Sequence, residues 1–353
     1  MAEPTPQEQV EFLRNLQRLL TEGQFTATYK FALILALANL AVRKGDDGGG
    51  RLKCKVSELA EDFVKLYWRQ AGPFRPTRTS TAAILLQNTS CQAAIIVDIA
   101  NSRGRAEGES ITRFRTFEGG KPWERLVVRV GGVVSQMPLW KLQYIGSRPV
   151  PFLYPQSEQG DSITLKPGVA YCFRAYYGII RKLVEGAWLK HVCSVNPGLL
   201  GKSAGLAEFM FGEDRVALDV YRNFLTGLQR KQCFYCHRRL RVMGEVDHFI
   251  PWARYQSNLV HNCVIAHRDC NSQKSDQIAA EEHLAAWVAR NESCEKAITQ
   301  FCDDKKLWHD RAESQGFALC AYAQTATVNG LTWIEGDRVE HLRGDWRRLL
   351  GAA

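Results

Sequence analysis

Apolar positions recur at helical spacing through the first seventy residues. Val10, Phe12, Leu13, Leu16, Leu19 and Leu20 predict an amphipathic helix over Gln7–Leu20. Thr26–Val42 predicts a second helix, and its run FALILALANLAV (31–42) is apolar on all sides, the pattern of a helix buried inside the fold. That run falls short of the ~20 residues a membrane span requires. GDDGGG at 45–50 breaks it as a loop, and Ser57 opens a third helix that runs through Tyr67.

From about Gly72 to Gln156 the texture changes. RLVVRVGGVV at 125–134 is rich in valine, Trp140–Ile145 adds Leu and Tyr, and Gly and Pro punctuate throughout, which predicts strands or a strand-edged insertion over about 90–156. Helical character returns over Pro167–Val192, with the proline suited to a first turn. Further helices are expected over Arg215–Gln229 and Gln277–Arg290, the latter with Glu281, Glu282 and His283 facing solvent. The expected class is α+β. A mostly helical N-terminal region (1–212) holds the strand-rich insertion, a compact module follows at 213–292, and a mixed helical tail occupies 293–353.

Composition narrows the picture. The 353 residues, 45% apolar and 24% charged, suit a soluble globular protein of two or three domains. The polar start MAEPTPQEQVEF has no basic stretch followed by an apolar run, so no secretory signal is expected and the expected location is cytoplasmic. Eleven cysteines, an odd number in a long chain, argue against a disulfide scaffold. Cys54, Cys91, Cys172, Cys193 and Cys320 stand singly and read as small buried thiols. The net charge of +9 favours a polyanionic partner. Arg222 to Arg241 contains six basic residues and no acidic one, and it adjoins a cysteine pair. Arg238, Arg239 and Arg241 are therefore candidate phosphate contacts.

The chemistry concentrates between Cys233 and Asp276, in CFYCHRRLRVMGEVDHFIPWARYQSNLVHNCVIAHRDCNSQKSD. Cys233-x-x-Cys236 and His267-x-x-Cys270 offer three sulfurs and one imidazole to a tetrahedral ion, a set that favours structural Zn2+, with His237 and Cys263 as competitors for the place of His267. Interleaved with it are Asp247-His248, Asn262, and Asn271 followed by Lys274-Ser275-Asp276. A histidine near neutrality can take a proton from water, and an adjacent carboxylate with a distant amide oxygen supplies hard ligands for a magnesium-type ion. Lys274 and Arg254 could hold phosphates or serve as surface charge. Trp252 could stack on a base or pack beneath its loop.

CxxC, then DH followed by two apolar residues and Pro, then Asn, then CN-x-x-K resembles the HNH nucleases of the His-Me finger (ββα-metal) superfamily, in their zinc-stapled form. The resemblance implies His248 as general base, Asp247 and Asn271 as ligands of Mg2+ (or Mn2+), and Asn262 as the residue that steadies the loop and the base. It implies Cys233, Cys236, His267 and Cys270 as the structural zinc set. Two positions depart from the pattern: Asn271 stands where the family name has its last His, and the second zinc pair begins with His267 rather than Cys. The implied fold is a hairpin, with Val242–Phe249 as first strand and 250–262 as loop and return. A helix from about Asn271 follows, its N-terminal amides near a phosphate. The implied activity is hydrolysis of double-stranded DNA to 5′-phosphate and 3′-hydroxyl ends, one strand per site.

WKLQ at 140–143, the Pro167 helix with Trp188, AEFMFG at 207–212 and HLAAW at 283–287 also look similar to bacterial HNH proteins of mobile and anti-phage loci, of Zorya or Septu type. Some such proteins sit beside separate ATPase or membrane-complex partners. A zinc-stapled binding module without catalysis would explain the cysteines and the basic run but not the coincidence of Asp247-His248, Asn262 and Asn271. A homing-type site-specific endonuclease is the third alternative.

Overall fold

The structure, a computed structural model, describes residues 3–76, 81–105, 111–156, 160–199, 205–212 and 216–351. The chain divides into two compact units, Met1–Glu213 and Asp214–Ala353.

The first unit is built of α1 (Pro6–Glu22), α2 (Tyr29–Lys44), β1 (Leu52–Lys55), α3 (Val56–Trp68), α4 (Ala94–Arg105), α5 (Ile111–Thr116), α6 (Lys121–Gln136), α7 (Pro138–Lys141), β2 (Tyr144–Ile145), β3 (Arg148–Pro149), β4 (Ser162–Leu165), α8 (Val169–Ala175), α9 (Tyr177–Val195) and α10 (Leu206–Phe211). α2 is its axis: residues 30–38 and 40–42 are all buried, with α3, α8 and α9 packed around it. Its C-terminal carbonyls, Ala41 O and Val42 O, accept from Arg174, and Arg43 grips the buried Asp62 through both guanidinium nitrogens at 2.9 and 2.8 Å. The strand content is small, two antiparallel pairs joining β1 to β4 and β2 to β3.

The strand reading of the 90–156 region is overturned: its valine-rich segment is helix α6. Trp123, Leu126, Val127, Val130 and Val134 are buried at spacings of three and four, while Val128 is 74% exposed. That period belongs to a helix, and packing overrides the strand preference of valine. Gly131, buried on the same face, lies against Val56 and Ala60 of α3. Among the described residues of that region, only Tyr144–Ile145 and Arg148–Pro149 form strands. Of the single thiols, Cys54, Cys172 and Cys320 are buried as expected, whereas Cys91 is exposed and Cys193 half-buried.

The second unit contains α11 (Val216–Leu228), β5 (Glu245–His248), β6 (Cys263–Ala266), α12 (Arg268–Lys274), α13 (Glu281–Ser293), α14 (Glu295–Lys305), α15 (Arg311–Thr327), β7 (Leu331–Glu335), β8 (Arg338–His341) and α16 (Trp346–Leu349). The expected start of α11, Arg215, lies outside the described residues. β5 and β6 pair antiparallel, with Glu245 opposite Ala266, Asp247 opposite Val264 and His248 opposite Cys263. One core joins Phe249, Val264, Ile265 and Trp287 to Tyr322, Trp333 and Trp346, so residues of 293–353 pack in the same interior as the hairpin. β7 is tied in by main chain: Trp333 N donates to Ile278 O at 2.8 Å and Ala280 N to Trp333 O at 2.7 Å. His283 does not face solvent. It is buried beside Leu284 and Trp287, and its Nε2 donates to Ile334 O at 2.8 Å, because β7 covers the face of α13 that the sequence left open. Among the described residues no helix is long and apolar enough to cross a membrane.

Candidate active site

β5 carries Glu245 at its start and Asp247 and His248 at its loop end, and α12 follows β6 directly. Side chains alternate along a strand, so Glu245 and Asp247 share a face. Gly244 permits the strand to start where it does, since a Cβ would stand 2.7 Å from Ile265 Cγ1.

Asp247 is buried, and its Oδ2 accepts from the Tyr235 hydroxyl at 2.5 Å and lies 3.1 Å from Lys274 Nζ. Burial, then the Asp247 carboxylate, push the Tyr235 hydroxyl far above its ordinary range, so it remains a donor. Lys274, a candidate phosphate contact from the sequence, belongs to the interior instead. It is wholly buried, donates to His248 O at 3.0 Å and lies over the Tyr235 ring. Its charge is balanced by Asp247 and is not presented to solvent. Arg254 is exposed in the loop, as are Arg238, Arg239 and Arg241.

Asn262 follows a short turn and uses both ends of its amide on one residue. Ile250 N donates to its Oδ1 at 2.8 Å, and its Nδ2 donates to Ile250 O at 3.0 Å. The loop from Phe249 is thereby closed at its base, helped by Phe249 N to Asn262 O at 2.7 Å. Behind it, His261 O accepts from three side chains of α13: Trp287 Nε1 at 2.8 Å, Arg290 Nη2 at 2.9 Å and Asn291 Nδ2 at 3.2 Å. His248 Nε2 lies 2.9 Å from Asn258 Oδ1, and the ring is tilted beside the half-buried Trp252 at 5.4 Å. Asn271 Nδ2 donates to Glu245 Oε2 at 3.0 Å. The donors Asp247 and Asn271 are a carboxylate and an amide oxygen, both hard, and fit a magnesium-type ion better than a soft one.

Cys233, Cys236, His267 and Cys270 bring their ligand atoms within 4.8 Å of one another. Cys263, a competitor in sequence, is instead a core residue opposite His248, and His237 stands outside the cluster on an exposed turn. The knuckle is set beside β6 by Phe234 N to Ile265 O at 2.9 Å. His267 Nδ1 is 3.3 Å from Cys236 Sγ, and its main-chain N–H donates to Cys233 Sγ at 3.3 Å. Burial opposes ionisation of Cys236, but hydrogen bonds from Arg238, Cys233 and His267 outweigh it and bring the thiol down to about 6. Burial, then Cys233, push Cys270 up to about 12. Three sulfurs and one imidazole at this separation fit a tetrahedral zinc ion.

Sequence reasoning missed Tyr235, Glu245 and Asn258. Glu245 carried a signal, two residues before Asp247 on a strand; Tyr235 and Asn258 carried none, being a knuckle aromatic and a loop amide. No curated protein and no solved structure matches the chain. The family model described as HNH endonuclease matches residues 233–280. The matched segment spans the cysteine knuckle, the hairpin and α12, and over these residues the chain is similar to the HNH endonuclease family.

Proposed function

We propose that the chain is a metal-dependent endonuclease that hydrolyses phosphodiester bonds of double-stranded DNA, one strand per active site. The observation that supports this reading is one hairpin and its helix: Asp247 and His248 end β5, Asn262 closes the loop that follows, and Asn271 on α12 donates to Glu245 of the same strand. In it His248 takes the proton of the attacking water. Asn262 holds the loop that carries the histidine through Ile250. Lys274 compensates the buried Asp247 charge and fixes the main chain at His248. Asp247 and Asn271 would hold Mg2+ or Mn2+, which when bound supplies neutralisation of the charge developing on phosphate and leaving oxygen. Zn2+ on Cys233, Cys236, His267 and Cys270 is structural, because the set is closed and leaves no position for water. Exposed Arg238, Arg239, Arg241 and Arg254 engage phosphates.

The test is nicking of supercoiled plasmid in Mg2+ or Mn2+. The wild-type chain converts it to open circles, and His248→Ala binds the DNA but leaves it closed. Nicking by His248→Ala at the wild-type rate would remove the histidine from its role. Binding without cutting by the wild type, under either metal, would favour a zinc-stapled binding module, the reading that the exposed arginines of the knuckle support on their own. Action against invading DNA is the biological setting we attach to the nuclease, from the resemblance of residues 140–143, 207–212 and 283–287. Its test is plaque formation on cells carrying the wild type or His248→Ala; equal plaquing would sink it.

A further inference from the structure

One contact at the site belongs to no part of the sequence motif. His248 Nε2 lies 2.9 Å from Oδ1 of Asn258, in the loop four residues before Asn262. An amide oxygen accepts and cannot donate, so the contact places the ring proton on Nε2 and leaves the lone pair on Nδ1. Asn262 cannot do this, because both ends of its side chain are engaged by Ile250. The loop and the ring are thus held by different asparagines.

Asn258 is itself held from behind. The Tyr221 hydroxyl donates to its main-chain carbonyl at 2.8 Å, and Tyr221 is 2% exposed on α11. α11 is in turn tied to the hairpin by Gln229, whose side chain receives Ile265 N and donates to Ile265 O, each at 2.8 Å. The line from α11 to the base therefore runs through two hydrogen bonds, one to the main-chain carbonyl of Asn258 and one to its side-chain oxygen.

We propose that Asn258 is the positioning residue of the base, selecting the Nε2–H tautomer of His248 so that Nδ1 is the atom that receives the water's proton, with Tyr221 holding Asn258 in register. This rests on the nuclease reading. It goes beyond it in naming which nitrogen works and what keeps it so.

Asn258→Leu keeps the volume and removes the acceptor; kcat for nicking falls on the order of 10²-fold while KM changes little, since a misprotonated base harms the chemical step and not DNA binding. Asn258→Asp returns an acceptor oxygen to the same place and restores most of the rate. Tyr221→Phe keeps the ring in the core and costs less, about threefold to tenfold in kcat. Nitrogen NMR of the full chain with labelled histidine supplies a readout that needs no activity. The wild-type His248 ring carries its proton on Nε2, and Asn258→Leu gives a mixture of tautomers. Melting temperatures separate a local effect from lost folding. A wild-type ring protonated on Nδ1, or an Asn258→Leu chain with unchanged tautomer and kcat, overturns the proposal. A wild type that never nicks but shows the Nε2–H tautomer, lost in Asn258→Leu, would refute the nuclease reading while leaving the control of the ring by Asn258 standing.

Discussion

Lys274 is a lysine with no exposure at all, and its surroundings explain how the fold tolerates it. The ammonium has Asp247 Oδ2 at 3.1 Å, His248 O at 3.0 Å and the face of Tyr235 above it. Removing one partner of a buried ion pair leaves the other charge uncompensated, so Lys274→Met is expected to destabilise the unit by about 3–5 kcal/mol, read as a lowered melting temperature. Arg254→Ala, in contrast, removes an exposed charge. It should leave melting unchanged while weakening DNA binding and flattening its salt dependence by about one unit of slope. His261 makes a third case. Burial first, then Arg290, His309 and Arg311, press its pKa down to about 3. Between an unfolded value near 6.5 and that depressed value the unfolded chain binds a proton the native one refuses. Stability contributed by neutral His261 is therefore complete above about pH 6.5 and falls with acid, by about 2 kcal/mol on reaching pH 5. Melts at pH 7 and pH 5 should show a smaller drop for His261→Phe than for wild type; an equal drop would assign the acid sensitivity elsewhere. None of this was legible in sequence, where a lysine three residues after Asn271 and a histidine before Asn262 give no hint of burial.

At the scale of elements, legibility followed how local the cause is. Ligand pairs three residues apart, DH at a strand end and an Asn near a helix start are short-range patterns, and they located the hairpin and α12 to within a few residues. β5 is shorter than expected (Glu245–His248), the return strand β6 (Cys263–Ala266) lies just beyond 250–262, and α12 begins at Arg268, ahead of Asn271. α6 failed as a strand because its identity is decided by a partner about sixty residues away, α3, on which it packs. His283 was misjudged for the same reason, its cover being the distant β7. The zinc cluster has an elemental consequence that can be measured. It joins the knuckle at 233–236 to the start of α12, two pieces with little core of their own. Purified chain should hold about one zinc, Cys270→Ser should hold much less, and stripping with a strong chelator should lower both the melting temperature and the nicking rate. Melting that is indifferent to the chelator would mean that the cluster is not a staple.

Across the whole molecule, the two units differ in what the sequence disclosed. The first announced α1, α2 and α3 but not the helices of 94–141, and no chemistry; the second announced its chemistry but not its extent. Tyr322, Trp333 and Trp346 lie beyond residue 292 and yet are buried with Phe249 and Trp287. A fragment comprising residues 214–353 should therefore melt cooperatively and hold zinc, whereas one stopped at 292 loses those rings and the β7 bonds to Ile278 and Ala280 and should fail to fold. A cooperative melt from the shorter fragment would show that the later helices are dispensable. The helix α12 carries one more implication. Within eight residues His267 and Cys270 turn toward the zinc cluster, while Asn271 and Lys274 turn toward Glu245, Asp247 and His248. A residue inserted between Cys270 and Asn271 would swing the second pair by about 100° and leave the first in place. The helix works like a keyed shaft, whose phase is an inherited constraint. Substitutions at its exposed positions can accumulate, but insertions and deletions in this stretch should be absent from any functional descendant of the chain.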